Sequence, residues 1–228
     1  MEPGQFIYLA SIWVLPVLLA ATFHEAAHAW MAWRLGDNTA ASLGRVSFDP
    51  FRHVDPFGTV ALPAILLAMH SPFLFGWAKP VPVDVEMLRN PRRDMALVAF
   101  AGPAANLALA VLAALLMHLL PLMPEFMQEW AARNLYNLLI FNIVLAVFNL
   151  LPIPPLDGGK IAVGLLPRPL GEQPAEAEAY GMFVLVGLLF VLPAVADNMG
   201  MNFRFAELFV HAPVNFLIEV VTTLTGVV

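Results

Sequence analysis

The sequence contains no cysteine, which excludes disulfide staples and cysteine nucleophiles. Charge is scarce as well: 12% of the 228 residues are Asp, Glu, Lys or Arg, against roughly 25% in an ordinary soluble domain. What charge there is leans acidic, with 17 Asp and Glu against 11 Lys and Arg for a net −6, so no basic surface is offered to nucleic acid. Internal repeats and low-complexity tracts are missing, and no polar loop is long enough to hold a separate soluble domain. What remains is apolar. Hydrophobic residues make up 60% of the chain, and the mean hydropathy is +0.77.

Several apolar runs approach or exceed the roughly 20 residues that a helix needs to cross the hydrocarbon layer. The first, Phe6 to Trp33, is too long for the apolar part of a signal peptide and is followed by further runs, so it is expected to stay in the membrane. Seven of the eleven basic residues (Arg34, Arg45, Arg52, Lys79, Arg89, Arg92 and Arg93) fall between that run and the one beginning at Met95. Under the positive-inside rule this region is cytoplasmic. Residues 6–33 then run inward, 95–120 outward and 134–151 inward, leaving Glu125 and Glu129 of "PEFMQEW" outside.

The run at 57–77 carries Pro63 and Pro72. A single crossing there would put Lys79 to Arg93 on the opposite side from Arg34, so a re-entrant or interface-lying hairpin is expected. After a Gly/Pro-rich break at 152–171 come an apolar helix at about 179–196 and a last segment, 205–227, that fits either a crossing or an interfacial helix. The expected fold class is an all-α polytopic membrane protein of about five to six transmembrane helices. To these are added the re-entrant or interfacial segment and a small β-hairpin or sheet on the cytoplasmic side.

Within the first apolar run stands "FHEAAHAW", Phe23 to Trp30. His24 and His28 are four residues apart, so a helix projects both imidazoles from one face about one turn apart, near enough to share a metal ion. Glu25 is turned about 100° from His24, within reach of a water beside the metal without being a ligand. Small Ala26 and Ala27 leave room there. Ionisable groups at membrane depth cost about 2.5–3.5 kcal/mol each on insertion scales, and a shared cation compensates three of them at once.

A third ligand is still needed, and Asp157 in "FNLLPIPPLDGGKI" is the candidate. Pro152, Pro154 and Pro155 end the preceding helix, and Gly158 and Gly159 allow a tight backbone path. Broken helices at membrane depth belong where protein or a water-filled cavity covers them. A plain helix N-cap is the alternative role for Asp157. Depth favours the ligand: His24 lies ten residues before Arg34, about 15 Å from the cytoplasmic end of its helix, and Asp157 follows an inward-running helix on the same side.

"HEAAH" followed far downstream by "NLLPIPPLDGG" resembles the site-2 protease family of intramembrane zinc metalloproteases. "AGPAANL" (Ala101 to Leu107) is similar to the Gly-Pro-x-x-Asn element of that family, and "LGRVSFDPFRHVDPFGT" and "GWAKPVPV" to cytoplasmic-side segments of its compact members. The likeness spans roughly residues 20–160 in family order. It implies that His24, His28 and Asp157 hold one Zn2+, that Glu25 is the catalytic carboxylate, and that the substrate is a transmembrane segment of another protein in the lipid bilayer. It also implies a compact form, since neither a PDZ nor a CBS domain fits in this length. The chain then reads as one membrane-embedded metalloprotease domain, 1–228, with a catalytic core at about 6–168 and C-terminal helices at about 179–228. Its expected location is a prokaryotic cytoplasmic membrane, with the active site opening toward the cytoplasm.

Asn149 matches the asparagine that precedes the Pro-rich turn in the family, and is either an oxyanion donor or a structural tie for backbone freed by the prolines. Asn106, beside Gly102 and Pro103, is a supporting residue, its amide a hydrogen-bond donor between closely packed helices. A helix must unwind to be hydrolysed, and an exposed strand edge could hold the unwound segment. "SLGRVSFD" alternates with Val46 and Phe48 on one face, and "KPVPVD" alternates Val81 and Val83 with proline. Both are expected in the small sheet, as substrate-binding strands. His53 is expected to make hydrogen bonds and not a second metal site. The rival function is a membrane metal-ion transporter, since intramembrane His and Asp also mark ion pathways. Transport would need exchangeable ligands and access from both faces, whereas Glu25 stands beside the ligands and one side alone looks wet.

Overall fold

A computed structural model describes residues 3–62, 65, 69, 78–166, 177–199 and 205–227. Three long helices build the framework: α1 (Pro3–Leu35), α2 (Pro91–Met117) and α3 (Glu125–Asn149). A short helix α4 (Asp157–Leu165) follows the proline-rich break. Next comes α5 (Ala177–Val186), continued by Gly187–Val191 and Leu192–Asn198. A wider turn, Glu207–His211, leads into α6 (Ala212–Thr225). Pro91 opens α2 at the position where its missing amide costs nothing, and the Asp94 carboxylate accepts from the Asn90 amide at 2.8 Å, closing the first turn.

Alpha helices α1 and α2 run antiparallel, since Arg89 N–H donates to Leu35 O, while Asn106, deeper in α2, reaches Ala20 O at 3.2 Å. At the far end α3 begins beside the start of α1: Trp130 Nε1 donates to Ser11 Oγ at 2.9 Å and Asn137 Nδ2 to Ile12 O at 2.7 Å. Lipid tails are as apolar as leucine, so close packing and interhelical hydrogen bonds hold such helices together in place of the hydrophobic effect. The sequence supplies both. Small buried residues on α1 and α2 (Ala20, Ala29, Ala110, Ala113) let the backbones approach, while Leu139 and Ile143 of α3 fill the space between α2 and α6, where Val214 and Val221 complete the cluster. The large exposed aliphatics, such as Ile7, Leu115 and Leu224, match a surface solvated by lipid.

Among the described residues, four helices are long and apolar enough to cross a membrane: Ile7–Leu35, Pro91–Met117, Glu125–Asn149 and Glu207–Thr225. The molecule is an integral membrane protein. The expected five to six spans are not matched among the described residues, which supply four. Segment 205–227 has the length and composition of a crossing. The helix expected at 179–196 is present but divided into pieces of ten, five and seven residues. The hairpin expected at 57–77 falls mostly outside the described residues, of which Pro56–Ala61 forms one wide helical turn capped by Asp55.

The expected β-hairpin is also corrected: among the described residues there is no strand. Residues 42–49 bend at Gly44, whose φ of +67° a strand cannot contain, and again where Ser47 N–H folds back onto Arg45 O at 2.9 Å. Residues 79–84 form no regular element, and Pro80 and Pro82 have no amide to offer a ladder. A side chain joins the two stretches instead of a ladder: Arg45 Nη2 donates to Lys79 O at 2.6 Å.

Candidate metal centre

His24 and His28 stand one turn apart on the buried face of α1, with their Nε2 atoms 2.9 Å from each other. The proline break that ends α3 folds the chain back so that Asp157, first residue of α4, brings Oδ2 to 3.1 Å from His24 Nε2 and 3.2 Å from His28 Nε2. Gly158 packs so closely on the Leu150 and Leu151 carbonyls that a Cβ there would collide. The Asp-Gly-Gly stretch thus lets the break close tightly. Arg92 of α2 secures the far end of α4 by donating to Val163 O at 2.8 and 2.9 Å and to Leu166 O. Leu156 holds the N-cap position of α4 and Asp157 is the first residue inside it, so the alternative N-cap role falls to another residue.

The hydrogen bonds behind the imidazoles settle their tautomers. Asn142 Nδ2 donates to Leu138 O at 2.7 Å, which leaves its Oδ1 to accept from Asn106 Nδ2, also at 2.7 Å. Asn106 Oδ1 therefore accepts from His24 Nδ1 at 2.6 Å. On the second imidazole, Nδ1 donates to the Val98 carbonyl at 2.7 Å. With both protons on Nδ1, both Nε2 atoms present lone pairs. Asp157 Oδ2, buried and without a hydrogen-bond donor, presents a third.

Three lone pairs converging in a buried space repel one another unless a cation lies between them. Donors around a tetrahedral zinc, at bonds of about 2.0–2.1 Å, stand about 3.3 Å apart, close to the separations found. The group His24, His28 and Asp157 has its donor atoms all within 4.8 Å of one another, which suits one ion. Room is reserved by Gly102: a Cβ at that position would strike His28 Nε2 and come within 2.7 Å of His24 Cε1. Pro103, next in α2, is fully buried. Lys160 Nζ lies 4.0 Å from the outer oxygen of Asp157, Oδ1.

Glu25 is adjacent to the cluster but not in it. Its Oε2 accepts from the Val81 amide at 3.0 Å, which leaves Oε1 as the second oxygen. Val46 and Phe48 line a cavity of about 360 Å³ together with Phe23, Ala27, Trp30 and Ala105, and Phe48 stacks on Phe23 with ring centroids 4.6 Å apart. That apolar cavity lies along the α1 face next to the histidines. Val83 instead packs against Ala32, Leu88 and Val98. Asn149 Nδ2 donates to Leu145 O of its own helix at 3.0 Å. His53 is buried and hydrogen-bonded, with Nε2 donating to Ser47 O at 2.8 Å.

Sequence reasoning missed Asn142 and Arg45. Asn142 interrupts an apolar run, and an amide at membrane depth is itself a signal. Arg45 was read for its charge alone, yet it is buried at 6% exposure. Burial holds its guanidinium below the ordinary arginine value, against the opposing pull of the Glu25 charge.

A family model described as "Peptidase family M50" matches residues 122–193. "Putative zinc metalloprotease YwhC" of Bacillus subtilis (strain 168) is 40% identical over 187 residues, 79% of this chain and 80% of that protein. Two proteins named "Putative zinc metalloprotease Rip2" match as well. The one from Mycolicibacterium smegmatis is 32% identical over 84% of this chain and 70% of its own length, and the one from Mycobacterium tuberculosis (strain H37Rv) 33% over the same shares. No solved structure matches. With identity at this level along most of both chains, the protein belongs to peptidase family M50, the site-2 protease family, and is a membrane-embedded zinc metalloprotease.

Proposed function

We propose that the protein hydrolyses peptide bonds within transmembrane segments of other membrane proteins, with His24, His28 and Asp157 holding one zinc ion and Glu25 as the catalytic carboxylate. The observation that carries this reading is the convergence of three buried lone pairs beside a carboxylate that is not among them. Bound zinc supplies a Lewis acid with an open position, lowering the pKa of water toward neutrality. Glu25, with Oε2 held by Val81, takes the proton of the attacking water on Oε1 and returns it to the departing amide nitrogen. Asn106 and the Val98 carbonyl, by accepting from Nδ1, orient His24 and His28 so that their Nε2 atoms face the ion.

The 360 Å³ cavity beside α1 is apolar and suits a side chain of an unwound transmembrane segment. We place the opening on the cytoplasmic side, because Arg34, Arg45, Arg52 and Lys79 cluster at that end of α1. The whole chain acts as one membrane-embedded catalytic unit in a prokaryotic cytoplasmic membrane. Transport is the weaker reading, since a carrier has no use for a carboxylate set beside its ligands.

Replacing Glu25 by Gln separates the two. Cleavage of a test protein with a Gly-Pro break in its single transmembrane helix should fall by about 10²–10⁴-fold, the usual contribution of a general base, with bound zinc retained. Cleavage at the normal rate would overturn the mechanism.

A further inference from the structure

The stretch Lys79–Asp84 is fastened at both ends and touches Glu25 in the middle. At one end Lys79 N–H donates to His53 O at 2.8 Å, and its carbonyl accepts from Arg45 Nη2 at 2.6 Å. At the other, Asp84 N–H donates to Asp37 Oδ2 at 2.8 Å. Asp37 is fully buried, and its second oxygen accepts from Thr39 N–H at 2.8 Å. Between these anchors Val81 N–H meets Glu25 Oε2. Pro80 and Pro82 flank that residue, so φ is fixed on both sides of it and Val81 has the single amide of the three.

Two features of the anchors go beyond packing. Arg45 is buried, with Nε lacking a partner, and His53, its neighbour at 3.4 Å, is held by Ser47 so that Nδ1 can only accept. A guanidinium in such a place is costly unless its charge and its reach to Lys79 O are used. A free carboxylate one residue from His24 could also turn and become a fourth ligand, which would close the position that water needs.

We propose that Lys79–Asp84 is a strap that keeps Glu25 oriented as a base and out of the ligand set, with Arg45 and Asp37 as the positioning residues that fasten it. The inference rests on Glu25 being the catalytic carboxylate. Arg45 acts through Lys79 and Val81 and needs no contact with substrate. The strap is stiff because of its prolines, and so displacement at the Lys79 end reaches Val81.

The test uses the full chain in detergent or lipid vesicles, with the same broken-helix test protein. Arg45→Met should lower kcat by about 10–100-fold, the range seen when outer partners of a metal site are removed. KM should stay within about twofold, as for loss of a transition-state contact, with zinc retained at one per chain. Amide hydrogen exchange in the 79–84 peptide should quicken, and Arg45→Lys, which keeps a charge and a donor, should recover part of both. Val81→Pro removes the one amide on Glu25; Val81 precedes Pro82 and is already biased to extended backbone, so the change suits the chain. It should reproduce the kcat loss, and the Arg45→Met/Val81→Pro pair should be no worse than Val81→Pro alone, since both remove one contact.

Wild-type kcat in Arg45→Met, a multiplicative loss in the double variant, or faster exchange without loss of kcat would each overturn the strap. If Arg45→Met sheds zinc, Val81→Pro decides, because it disturbs no buried charge. Failure of the Glu25 reading is distinct: Glu25→Gln would then cleave normally, whatever the exchange of 79–84 reports.

Discussion

The candidate ligand cage (His24, His28 and Asp157) and the rim beside it are built by opposite means. In the cage every position follows from regular geometry: four-residue spacing pairs His24 with His28, proline ends α3, and glycine lets Asp157 fold back. In the rim, formed by residues 43–49 and 79–84, no regular element is present, and isolated polar side chains (Arg45, Asp37, Glu25) hold the backbone one polar group at a time. A helix tolerates loss of one contact because its neighbours repeat it. The rim has no such repetition, so each of its contacts should count singly.

The sharpest way to break this comparison is to crowd the cage. Gly102→Val puts a branched side chain where even a Cβ meets His28 Nε2, deep in α2, where the neighbouring imidazoles are pinned by Asn106 and Val98 and cannot step aside. Zinc content should fall to background and cleavage with it. Far-ultraviolet circular dichroism should still report the wild-type helix content, since valine at one position costs a long helix under about 1 kcal/mol. A Gly102→Val protein that kept its zinc would show that the cage is looser than its contacts imply.

A milder blow falls behind the cage. Asn142→Leu removes the shorter of the two hydrogen bonds from Asn106 Nδ2, leaving the 3.2 Å contact to Ala20 O as the one remaining hold on the amide that accepts from His24. Interhelical hydrogen bonds in membranes average about 0.6 kcal/mol, whereas losing an outer partner of a metal ligand costs about 10–100-fold in affinity, or roughly 1.4–2.7 kcal/mol. Zinc binding should therefore suffer more than the fold. Competition with a chelator, beside thermal unfolding of the zinc-loaded protein, measures the two; an unfolding temperature that drops while zinc affinity holds would invert the assignment.

The same contrast explains what could be read from the chain before its structure. The grouping of His24, His28 and Asp157 as a candidate metal site was legible because helix period and proline and glycine chemistry act locally, and the cost of charge in lipid marks the residues that need partners. Asn106 was legible as an interhelical donor, though not as the group that orients His24, because that role depends on Asn142, 36 residues away. The rim was misread as strands. Alternating valine and proline in "KPVPVD" looks like a sheet edge, but what it pairs with is a buried guanidinium and two carboxylates, and no periodicity announces such a partner. Nor does periodicity announce that Val83 packs against the cluster of Ala32, Leu88 and Val98.

The smallest effect is expected at Asn149, where sequence reasoning left two roles open. Its Nδ2 donates to Leu145 O one turn back, a bond that an amide on a helix makes without reference to substrate. Acting as an oxyanion donor would require it to give up that carbonyl and swing toward the cage as the substrate arrives. The magnitudes differ enough to decide: loss of an oxyanion donor costs about 10²–10³ in kcat, whereas loss of one helical tie costs about 0.5–1.5 kcal/mol of stability and leaves catalysis nearly intact. Asn149→Ala should lower kcat by no more than about threefold, with a slightly lower unfolding temperature, and the same result is expected of Asn149→Leu, which keeps the bulk. A hundredfold fall in kcat at unchanged zinc content would instead extend the active site to the end of α3 and make the proline break a source of catalytic groups on both of its sides.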